Sequence, residues 1–426
     1  MAGRGGRACA SAEVVPDSLE LLAWTPRVLG FASAVSVGGA GVARTVPLDG
    51  GGMVRWGQLE IEHGGAAGTR LNGEPMCRGA RFKPGDVLRS GDQICVFAPG
   101  PLTRPSPDDD MIGSSVLMAG VRRSVRAVAR RSQSVVVTGQ TGTGKELVAQ
   151  RIHRESGRIG PFVAVNCSTF TADLLASELF GHARGAFTGA VSEHNGLFRA
   201  AHGGTLLLDE LADVSPAVQA SLLRVLETRS VRPLGTTKEL RVDVRVVAAT
   251  NVDLELLVQR GLFRADLYAR LAQWTIRTPS LAERREDIPA LTTHLLTGMD
   301  CGGRVVEPDL WEALLVHPWP LNVRGLANVL SVAVISAGDD AAPLGLSPEV
   351  VDALRRTRCM LLPTQLEAPV PAHALLLGRD AMVALLERHH GHVAAAAREA
   401  GCSRAKWYRG MTSEGLDPSD YRGGKP

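Results

Sequence analysis

A glycine-rich stretch of this sequence has the residue types that bind phosphate groups. Gly139-Gln140-Thr141-Gly142-Thr143-Gly144-Lys145 follows an apolar run, Ser134 to Val137, and precedes the helix-like segment KELVAQRIHRE. Glycines let backbone N–H groups turn toward phosphate oxygens, the helix N-terminus adds positive charge, and the lysine places a cation on the β and γ oxygens. The order strand, loop, helix therefore predicts a P-loop. In a chain with 47 glycines, a chance match is the alternative.

An acidic pair at the end of an apolar run supplies the second half of such a site. The run Leu206 to Leu208 leads directly into Asp209 and Glu210. Asp209 is predicted to hold Mg²⁺, and Glu210 is predicted to polarise the attacking water. Glu146 stands where the usual P-loop has a serine or threonine hydroxyl that also binds magnesium. Taken alone, the acidic run would indicate a buried strand that ends in a solvated turn.

Composition limits what else the chain can be. Its 426 residues suggest roughly two to four domains, and 45% hydrophobic with 21% charged residues can form real cores. The net charge of +3 is too small for nucleic-acid binding over the whole surface, so any DNA-binding face must be local. Seven scattered cysteines predict neither disulfides nor structural zinc. With no leader pattern and no long apolar run, the protein is predicted to be cytoplasmic, without a membrane partner.

The pattern of secondary structure changes along the chain. Up to residue 98, short alternating runs such as DQICVFA predict an all-β domain. Prolines and aspartates over 99–111 predict a linker. Strand-like and helix-like segments then alternate, which is typical of a parallel sheet with crossover helices. A second linker, 357–374, precedes a small all-α module at 375–426.

The middle of the chain, from about Ile112 to Ser336, is dense in motifs. Besides GQTGTGKE and GGTLLLDE, it contains ELFGHARGAFTGA, AATN, FRADLYARL, LAERREDIP and HPWPLNVRGL. It resembles the central AAA+ ATPase domain of bacterial enhancer-binding proteins, the activators of sigma-54 RNA polymerase. The resemblance implies an α/β P-loop AAA+ subdomain over 112–278 and a helical lid over 279–356. It also implies ATP and Mg²⁺ as cofactors and a homo-oligomer, from dimer to hexameric ring.

The hexapeptide GAFTGA is the most diagnostic of these motifs. By resemblance it forms the tip of a mobile surface loop that touches sigma-54, through Gly185, Ala186, Phe187, Thr188, Gly189 and Ala190. An exposed phenylalanine between small residues would give an apolar anchor, and the threonine would give a polar contact. The alternative for the hexapeptide alone is a glycine-rich turn that buries one phenylalanine.

The resemblance implies nucleotide-site roles for residues outside the two central motifs. Asn166 resembles the residue that holds the catalytic Glu210 in a resting orientation. Thr250 and Asn251 resemble the sensor pair that faces the γ-phosphate. The other positions implied to bind ATP are Gly139, Gln140, Thr141, Gly142, Thr143, Gly144, Lys145, Glu146 and Arg324.

Three arginines complete the implied catalytic machinery. Arg264 and Arg270 resemble the arginine fingers that reach the ATP of the neighbouring subunit, where their charge stabilises the transferring phosphoryl group. Arg324 resembles the second sensor arginine of the lid, although Leu321 and Gly325 depart from the family pattern around it. The alternative for each arginine is a surface ion pair.

The tail from residue 375 resembles the Fis-type helix-turn-helix of these activators. Val393 to Ala400 would form the first helix of the motif, Gly401 the turn, and Ser403 the N-cap of the recognition helix. The residues predicted to bind double-stranded DNA are Ser403, Arg404, Ala405, Lys406 and Arg409. Their basic side chains form the local patch that the overall charge hides. A solvated dimerisation helix is the alternative.

The front domain resembles only one half of a known module. Gly68-Thr69-Arg70-Leu71-Asn72-Gly73, followed by PGDVLRSGDQICVF, resembles the end of a forkhead-associated domain, a β-sandwich. The earlier Gly-Arg and Ser-x-x-His positions of that family, which contact the phosphate, are not recognisable. A forkhead-associated-like sandwich is therefore predicted over 1–98, and binding of a phosphoprotein through phosphothreonine stays open.

Together these features predict a sigma-54-dependent transcriptional activator. It would bind upstream enhancer DNA through its tail, assemble into a ring, and use ATP hydrolysis to remodel the closed complex of the sigma-54 RNA polymerase holoenzyme. Two alternatives stay open: an AAA+ DNA-binding regulator that acts without sigma-54, and a catalytically inactive DNA-binding scaffold. Phe187 and Thr188 disfavour the first, and Lys145 with the acidic pair disfavours the second.

Overall fold

The structure is a computed structural model of the 426-residue chain. It describes residues 110–187, 190–338 and 342–359 without a break. On the amino-terminal side it describes 18–24, 35–38, 45–47, 53–55, 60–62, 69–76, 83, 85–91, 93–98 and 102. On the carboxyl-terminal side it describes 379–389, 391–399, 407, 411, 416–417 and 421.

The described elements of the front part are all strands. They are β1 (Ser18–Trp24), β2 (Val35–Gly38), β3 (Thr45–Pro47), β4 (Met53–Arg55), β5 (Glu60–Glu62), β6 (Arg70–Leu71), β7 (Glu74–Pro75), β8 (Val87–Ser90) and β9 (Gln93–Ala98). An antiparallel sheet has the order β2-β1-β9-β8-β6-β7, and a second one the order β3-β4-β5. The strand-rich pattern of the sequence agrees with these sheets, while the forkhead-associated likeness stays a prediction.

A five-stranded parallel sheet carries the P-loop. Its strands, in the spatial order β11-β12-β15-β10-β16, are β10 (Val135–Thr138), β11 (Phe162–Asn166), β12 (Thr205–Asp209), β15 (Arg245–Thr250) and β16 (Thr275–Arg277). A short antiparallel pair, β13 (Ser230–Val231) and β14 (Leu240–Arg241), lies between β12 and β15 in the sequence. The accompanying helices are α1 (Val116–Ala129), α2 (Lys145–Ser156), α3 (Ala172–Phe180), α4 (Leu197–Ala200), α5 (Pro216–Thr228), α6 (Leu254–Gln259) and α7 (Ala265–Leu271).

The central strands are continuous apolar runs because helices cover both faces of the sheet. Val135 and Val137 pack with α1 and α2, whereas Leu206 and Leu208 pack with α3, α5 and α7. All neighbouring strands of this sheet run parallel, so their carboxyl ends lie along one edge. The predicted α/β P-loop fold is confirmed, and this edge is where the P-loop and the acidic pair meet.

Four helices form the lid, which the sequence also predicts. They are α8 (Ile288–Gly298), α9 (Pro308–Val316), α10 (Asn322–Ala337) and α11 (Pro348–Cys359). A 3₁₀ segment, Leu281–Asp287, precedes them and begins with a capping box in which Ser280 N–H donates to Glu283 Oε2 at 2.8 Å. Trp319 is fully buried among the lid helices, and its Nε1 donates to the Leu314 carbonyl at 2.8 Å. The indole thus gains burial without losing a hydrogen bond.

The front sheet packs directly on the lid. Val87, Ile94 and Val96 of β8 and β9 belong to the same apolar cluster as the lid helices. Arg89 Nη1 lies 2.6 Å from Oε2 of Glu312 on α9, and the Glu312 side chain is only 8% exposed. A buried carboxylate needs such a partner, because an unpaired one is strongly destabilising. The junction therefore combines apolar burial with a shielded ion pair.

The described part of the tail is helical. Helices α12 (Arg379–Arg388) and α13 (Val393–Glu399) pack with Trp407, which is 2% exposed. The predicted helix from Val393 to Ala400 corresponds to α13, and Ala400 lies outside the described residues. The assignment as a helix-turn-helix stays a prediction. In the described portion of the chain, no helix combines the length and apolar character needed to cross a membrane.

Candidate functional site

The P-loop lies between the carboxyl end of β10 and the start of α2, and two of its glycines have no substitute. A Cβ added to Gly139 would lie 2.0 Å from Thr278 Oγ1, with the backbone at φ +154°. A Cβ added to Gly142, at φ +79°, would lie 2.2 Å from the Leu321 carbonyl oxygen. Only glycine combines such backbone angles with so little space. The predicted loop therefore stands in close contact with both its own sheet and the lid.

Lys145, the first residue of α2, points back into this loop. It is 8% exposed, and its Nζ donates to the Gly139 carbonyl at 3.0 Å. Glu146 next to it is exposed and accepts a hydrogen bond from Gln150. The buried hydroxyl of the loop belongs to Thr143, whose Oγ1 donates to the Gln140 carbonyl at 2.8 Å. Position 146 thus supplies no hydroxyl, as the sequence indicates.

Asp209 and Glu210 lie at the carboxyl end of β12, between β11 and β15. Glu210 has a left-handed backbone, with φ 51°, which is uncommon for a residue with a side chain and often marks a functional position. Its backbone N–H donates to Asp209 Oδ1 at 3.0 Å, and its own carboxylate accepts the backbone N–H of Asn251. Burial raises the pKa of Glu210, while the nearby Lys145 ammonium opposes the shift.

These residues surround a cavity of ≈ 550 Å³. Its polar lining includes the loop from Thr141 to Glu146 together with Asn166, Asp209, Glu210 and Arg324. Its apolar lining comes from Met111, Ile112, Leu291, Leu295, Val323 and Ala327. A mostly apolar wall beside a phosphate loop suits a purine base. Sequence patterns do not predict this wall, because Met111 falls in the predicted linker and the leucines of α8 resemble any buried helix face.

Asp287 fixes the segment that forms part of this wall. Its Oδ1 accepts the backbone N–H groups of Ser114 and Ser115 at 2.7 and 2.9 Å, and its Oδ2 accepts the Ser115 hydroxyl at 2.6 Å. A Cβ on Gly113 would lie 2.5 Å from Oδ2. Burial raises the pKa of Asp287, and the hydrogen bonds from Ser115 oppose this. The lid therefore anchors residues 111–115 at the cavity.

A second set of hydrogen bonds ties α10 to the P-loop. Asn322 Nδ2 donates to the Thr141 carbonyl at 2.9 Å, and Val323 N–H donates to the Gly142 carbonyl at 3.1 Å. Asn322 Oδ1 accepts the Leu281 N–H at 2.7 Å. Asn322 is fully buried and has a left-handed backbone with φ 51°. Leu321 and Asn322 thus place the lid against the phosphate loop, and Arg324 lies at the rim of the cavity.

The residues predicted to sense the nucleotide differ in their hydrogen-bond partners. Asn251 Nδ2 donates to Thr141 Oγ1 at 3.2 Å and so contacts the P-loop. Thr250 is fully buried, and its hydroxyl donates to the Val252 carbonyl and accepts the Val252 N–H. Asn166 Oδ1 accepts the backbone N–H and the hydroxyl of Ser168, at 2.9 and 2.7 Å. Asn166 therefore lines the cavity. Asn251 contacts the P-loop from a neighbouring pocket, and the Thr250 side chain contacts its own turn.

The acidic pair could hold a magnesium ion together with a nucleotide. In the described ranges no group of three His, Cys, Asp or Glu side chains could bind a metal ion by itself. Magnesium, however, is usually held by one or two carboxylates plus substrate phosphates and waters. Asp209 and Glu210 line the cavity beside the P-loop, so the donor set fits an ion that arrives with ATP.

Arg264 and Arg270 lie away from this cavity, at the two ends of α7. Arg264 forms a two-pronged contact with Asp266, with Nε to Oδ1 at 3.0 Å and Nη2 to Oδ2 at 2.7 Å. Arg270 is exposed and lines a different pocket, formed with residues near the start of β10 and β15. Within one subunit, then, neither arginine lines the cavity beside the P-loop.

The described residues on either side of Thr188 and Gly189 in the GAFTGA segment are joined by backbone hydrogen bonds. A bridge joins His182 and His194, with N–H to carbonyl distances of 3.0 and 2.9 Å in the two directions. Beyond this bridge, Gly185 N–H donates to the Ala190 carbonyl at 2.8 Å. Phe187 is 44% exposed and meets the edge of the His182 ring at 5.0 Å between ring centres. Thr188 and Gly189 lie outside the described residues, as do Ser403, Arg404, Ala405, Lys406 and Arg409 of the tail.

Known proteins resemble this chain over most of its length. Residues 111–277 match the sigma-54 interaction domain, and residues 282–356 match the AAA+ ATPase lid domain. The transcriptional regulatory protein GlrR of Escherichia coli (strain K12) is 41% identical over 346 residues, covering 79% of this chain and 75% of that protein. The Nif-specific regulatory protein of Azotobacter vinelandii is 47% identical over 233 residues, 54% of this chain and 45% of that protein. The structure of NtrX from Brucella abortus in complex with ATP matches at 32% identity and a TM-score of 0.52, over 72% of this chain and 69% of that one.

Proposed function

The chain belongs to the sigma-54-dependent transcriptional regulators, and we propose that hydrolysis in its P-loop cavity moves the GAFTGA loop against sigma-54. It is an AAA+ ATPase that activates sigma-54-dependent transcription. The observation that carries the proposal for its residues is the meeting of Lys145, Asp209 and Glu210 around one cavity beside the lid.

ATP is held by the P-loop and by the lid. Backbone N–H groups of residues 139–145 and the Lys145 ammonium neutralise phosphate charge, and the apolar wall of the cavity takes the adenine. A magnesium ion held through Asp209 would supply Lewis acidity at the phosphate oxygens. The Glu210 carboxylate accepts a proton from the attacking water, and its raised pKa makes it a stronger base than an ordinary glutamate.

Glu210 is also the residue through which the presence of the γ-phosphate would be transmitted to the rest of the subunit. Its carboxylate accepts the Asn251 backbone N–H, and the Asn251 side chain donates to Thr141 in the P-loop. A γ-phosphate beside Thr141 would therefore act on Asn251 and Glu210 together. Asn166, at the same cavity, is the alternative partner that would hold Glu210 in a resting orientation.

A homo-oligomer, from dimer to hexameric ring, would complete this site. Arg264 and Arg270 cannot serve the ATP of their own subunit from their positions on α7. In a head-to-tail ring they would face the ATP of the neighbour, where arginine stabilises the charge of the transferring phosphoryl group. In the subunit alone, the Arg264 side chain is half-exposed and pairs with the Asp266 carboxylate.

The tail is proposed to direct the activator to its DNA site, and the front domain is proposed to regulate it. The basic tail is proposed to bind double-stranded enhancer DNA through its recognition helix, and the burial of Trp407 against α12 and α13 supports a compact helical module. A phosphoprotein is the partner that a forkhead-associated-like front domain would take. Since the partner of the central domain is RNA polymerase, the proposed place of action is the cytoplasm.

The test traps the complex with sigma-54. The full chain is mixed with sigma-54 and with ADP plus aluminium fluoride, which imitates the transferring phosphoryl group, and complexes are separated on a native gel. The expected result is a stable complex that Thr188→Ala abolishes while ATP hydrolysis persists. An Ile159→Ala variant, which changes an exposed apolar residue outside the loop, is the matched control and should keep the complex.

Two results would overturn parts of this proposal. If wild-type protein hydrolyses ATP and assembles but traps no sigma-54, the loop does not act on sigma-54 and the regulator without sigma-54 becomes the better description. If wild-type protein hydrolyses no ATP at any concentration, the assigned catalytic residues are wrong and the scaffold description gains.

A further inference from the structure

A second polar pocket lies at the opposite edge of the central sheet. Ser134 directly precedes β10, and Val244 directly precedes β15, so this pocket sits at the amino ends of the strands whose carboxyl ends carry the P-loop. Its volume is ≈ 220 Å³. Three arginines line it, namely Arg158, Arg229 and Arg270. We call these residues, with Ser132–Ser134, the arginine edge.

The charges of the arginine edge are only partly balanced. Arg158 Nη2 forms an ion pair with Asp243 Oδ1 at 2.8 Å. The Asp243 carboxylate, which also lines the pocket, therefore already has a partner. Arg229 and Arg270 are exposed, and neither forms an ion pair with another residue in the described ranges. Two uncompensated guanidinium groups around one polar pocket favour an anion with several oxygens, such as a phosphate chain.

Arg229 is held in place by its backbone. It ends α5 in a left-handed conformation, with φ 51°. Its N–H donates to the Val225 carbonyl at 2.9 Å, and its carbonyl accepts the Val242 N–H at 2.9 Å. A residue with a side chain in this conformation costs free energy relative to glycine, the usual residue at such a helix end. The side chain at 229 therefore leaves the surface from a fixed point beside Arg270.

We propose that Arg229 binds the phosphate chain of the ATP held by the neighbouring subunit, next to Arg270. The inference rests on the proposed ring, in which Arg270 faces the neighbour's nucleotide. If Arg270 reaches those phosphates, the pocket that it lines faces them too, and Arg229 is the second unpaired cation of that pocket. The cavity that holds the nucleotide carries Asp209 and Glu210, so the added positive charge is complementary to both ATP and its surroundings.

The first measurement compares Arg229→Ala with wild type at concentrations where both assemble. We expect hydrolysis to fall about tenfold, less than for a finger at the transferring phosphoryl group. Nucleotide binding to the dispersed subunit should not change. Arg229→Lys keeps the charge without the planar fork and should recover part of the loss. Arg126→Ala removes an exposed arginine of α1 outside both pockets and is the control for loss of charge alone.

The decisive measurement mixes subunits. A complete interface needs Glu210 from the subunit that holds ATP and Arg229 from its neighbour. Glu210→Gln subunits lack the first and keep the second, whereas Arg229→Ala subunits have the reverse. After subunit exchange in an equal mixture, about a quarter of the interfaces would be complete, so hydrolysis should reach about a quarter of wild type instead of the roughly one-twentieth expected without complementation.

Each other outcome overturns a defined part of the argument. Activity of the mixture that equals the mean of its two components would show that Arg229 does not act across the interface. Loss of assembly in Arg229→Ala, with normal hydrolysis once assembly is forced by concentration, would make Arg229 an ion-pair partner of protein and not of phosphate. Wild-type hydrolysis with an unaffected Arg229→Ala variant sinks this inference alone, whereas an inactive wild type sinks the proposed function.

Discussion

The P-loop edge and the arginine edge of the central sheet differ in how far the subunit itself engages their polar groups. At the P-loop edge, Lys145 donates to the Gly139 carbonyl, Asn251 to the Thr141 hydroxyl and Asn322 to the Thr141 carbonyl. At the arginine edge, Arg229 and Arg270 are exposed and have no ion-pair partner among the residues that the structure describes. The subunit alone assembles one edge, whereas the other leaves two guanidinium groups that the proposed neighbouring subunit would engage.

This difference separates two properties that a single active site would combine. Groups fixed by internal hydrogen bonds can bind ATP in a lone subunit, because their geometry is already set. Side chains that extend into solvent lose conformational freedom when they bind. Their binding is favourable only when a neighbouring subunit supplies the anion. Nucleotide binding should therefore follow the P-loop edge, and hydrolysis should need both edges and hence assembly.

The largest expected effect comes from removing one cation at each edge. Lys145→Ala should weaken ATP binding of the lone subunit by about 100-fold or more, and hydrolysis should disappear with it. Arg270→Ala should leave that binding unchanged and lower hydrolysis by about 1,000-fold, the range for an arginine finger. Titration of a fluorescent ATP analogue and hydrolysis rates over a range of protein concentrations measure the two properties separately. Weakened binding in lone Arg270→Ala subunits would place this arginine in its own nucleotide site and remove the contrast.

A smaller effect tests the contact between the P-loop and the lid. Gly142→Ala should lower ATP affinity more than tenfold, because the new methyl group meets the Leu321 carbonyl and the left-handed backbone adds strain. Gly157→Ala is the matched control, since Gly157 has a similar backbone, φ +74°, with nothing within 4 Å of the added atom. It should cost only about 1 kcal/mol of unfolding free energy and leave affinity intact. Thermal unfolding with and without ATP distinguishes the two, and equal losses would show that the lid contact is unimportant.

The Glu210 carboxylate gives the P-loop edge a dependence on pH. Its folded-state pKa is raised, so hydrolysis at saturating ATP should decline as pH falls through a range above that of an ordinary glutamate, about 4.3. The folded protein binds this proton more tightly than the unfolded chain, so the contribution of Glu210 to stability decreases as pH rises through the same range. Glu210→Gln should therefore unfold at no lower urea concentration than wild type near neutral pH, with the difference vanishing in acid. A variant that is less stable at neutral pH would contradict the sign of this shift.

Sequence patterns predicted the elements at the P-loop edge well, because each depends on a short local run. The apolar run Ser134 to Val137 corresponds to β10 at Val135–Thr138, and the acidic pair follows β12 as expected. The ties between lid and P-loop were not predictable, since Asn322 and Thr141 are 181 residues apart in the chain. The same reason applies to Met111 and Ile112, which follow a proline-rich linker and yet line the cavity. Local patterns identify elements, while the packing between distant elements decides which side chains meet.

Of the two exposed arginines at the arginine edge, sequence patterns predicted only Arg270. Arg270 stands in a motif of recognisable spacing, whereas Arg229 follows an ordinary amphipathic helix and has no pattern of its own. Its place beside Arg270 depends on the left-handed end of α5 and on the pairing of the chain around Val242. Neither feature can be inferred from residue types alone.

The smallest expected effect concerns Leu321 and Gly325, the two departures from the family pattern, which turn out to be neighbours. Gly325 N–H donates to the Leu321 carbonyl at 3.2 Å, and a Cβ on Gly325 would lie 3.3 Å from Leu321 Cβ. Gly325→Ala should change the unfolding free energy by less than about 0.5 kcal/mol, because better helix propensity offsets the crowding. A Leu321→Gly background removes the crowding. There, Gly325→Ala should raise the unfolding free energy by about 0.5 to 1 kcal/mol more than it does in the wild-type background. Urea unfolding of the four variants measures this coupling, and additive effects would mean that the two departures are independent.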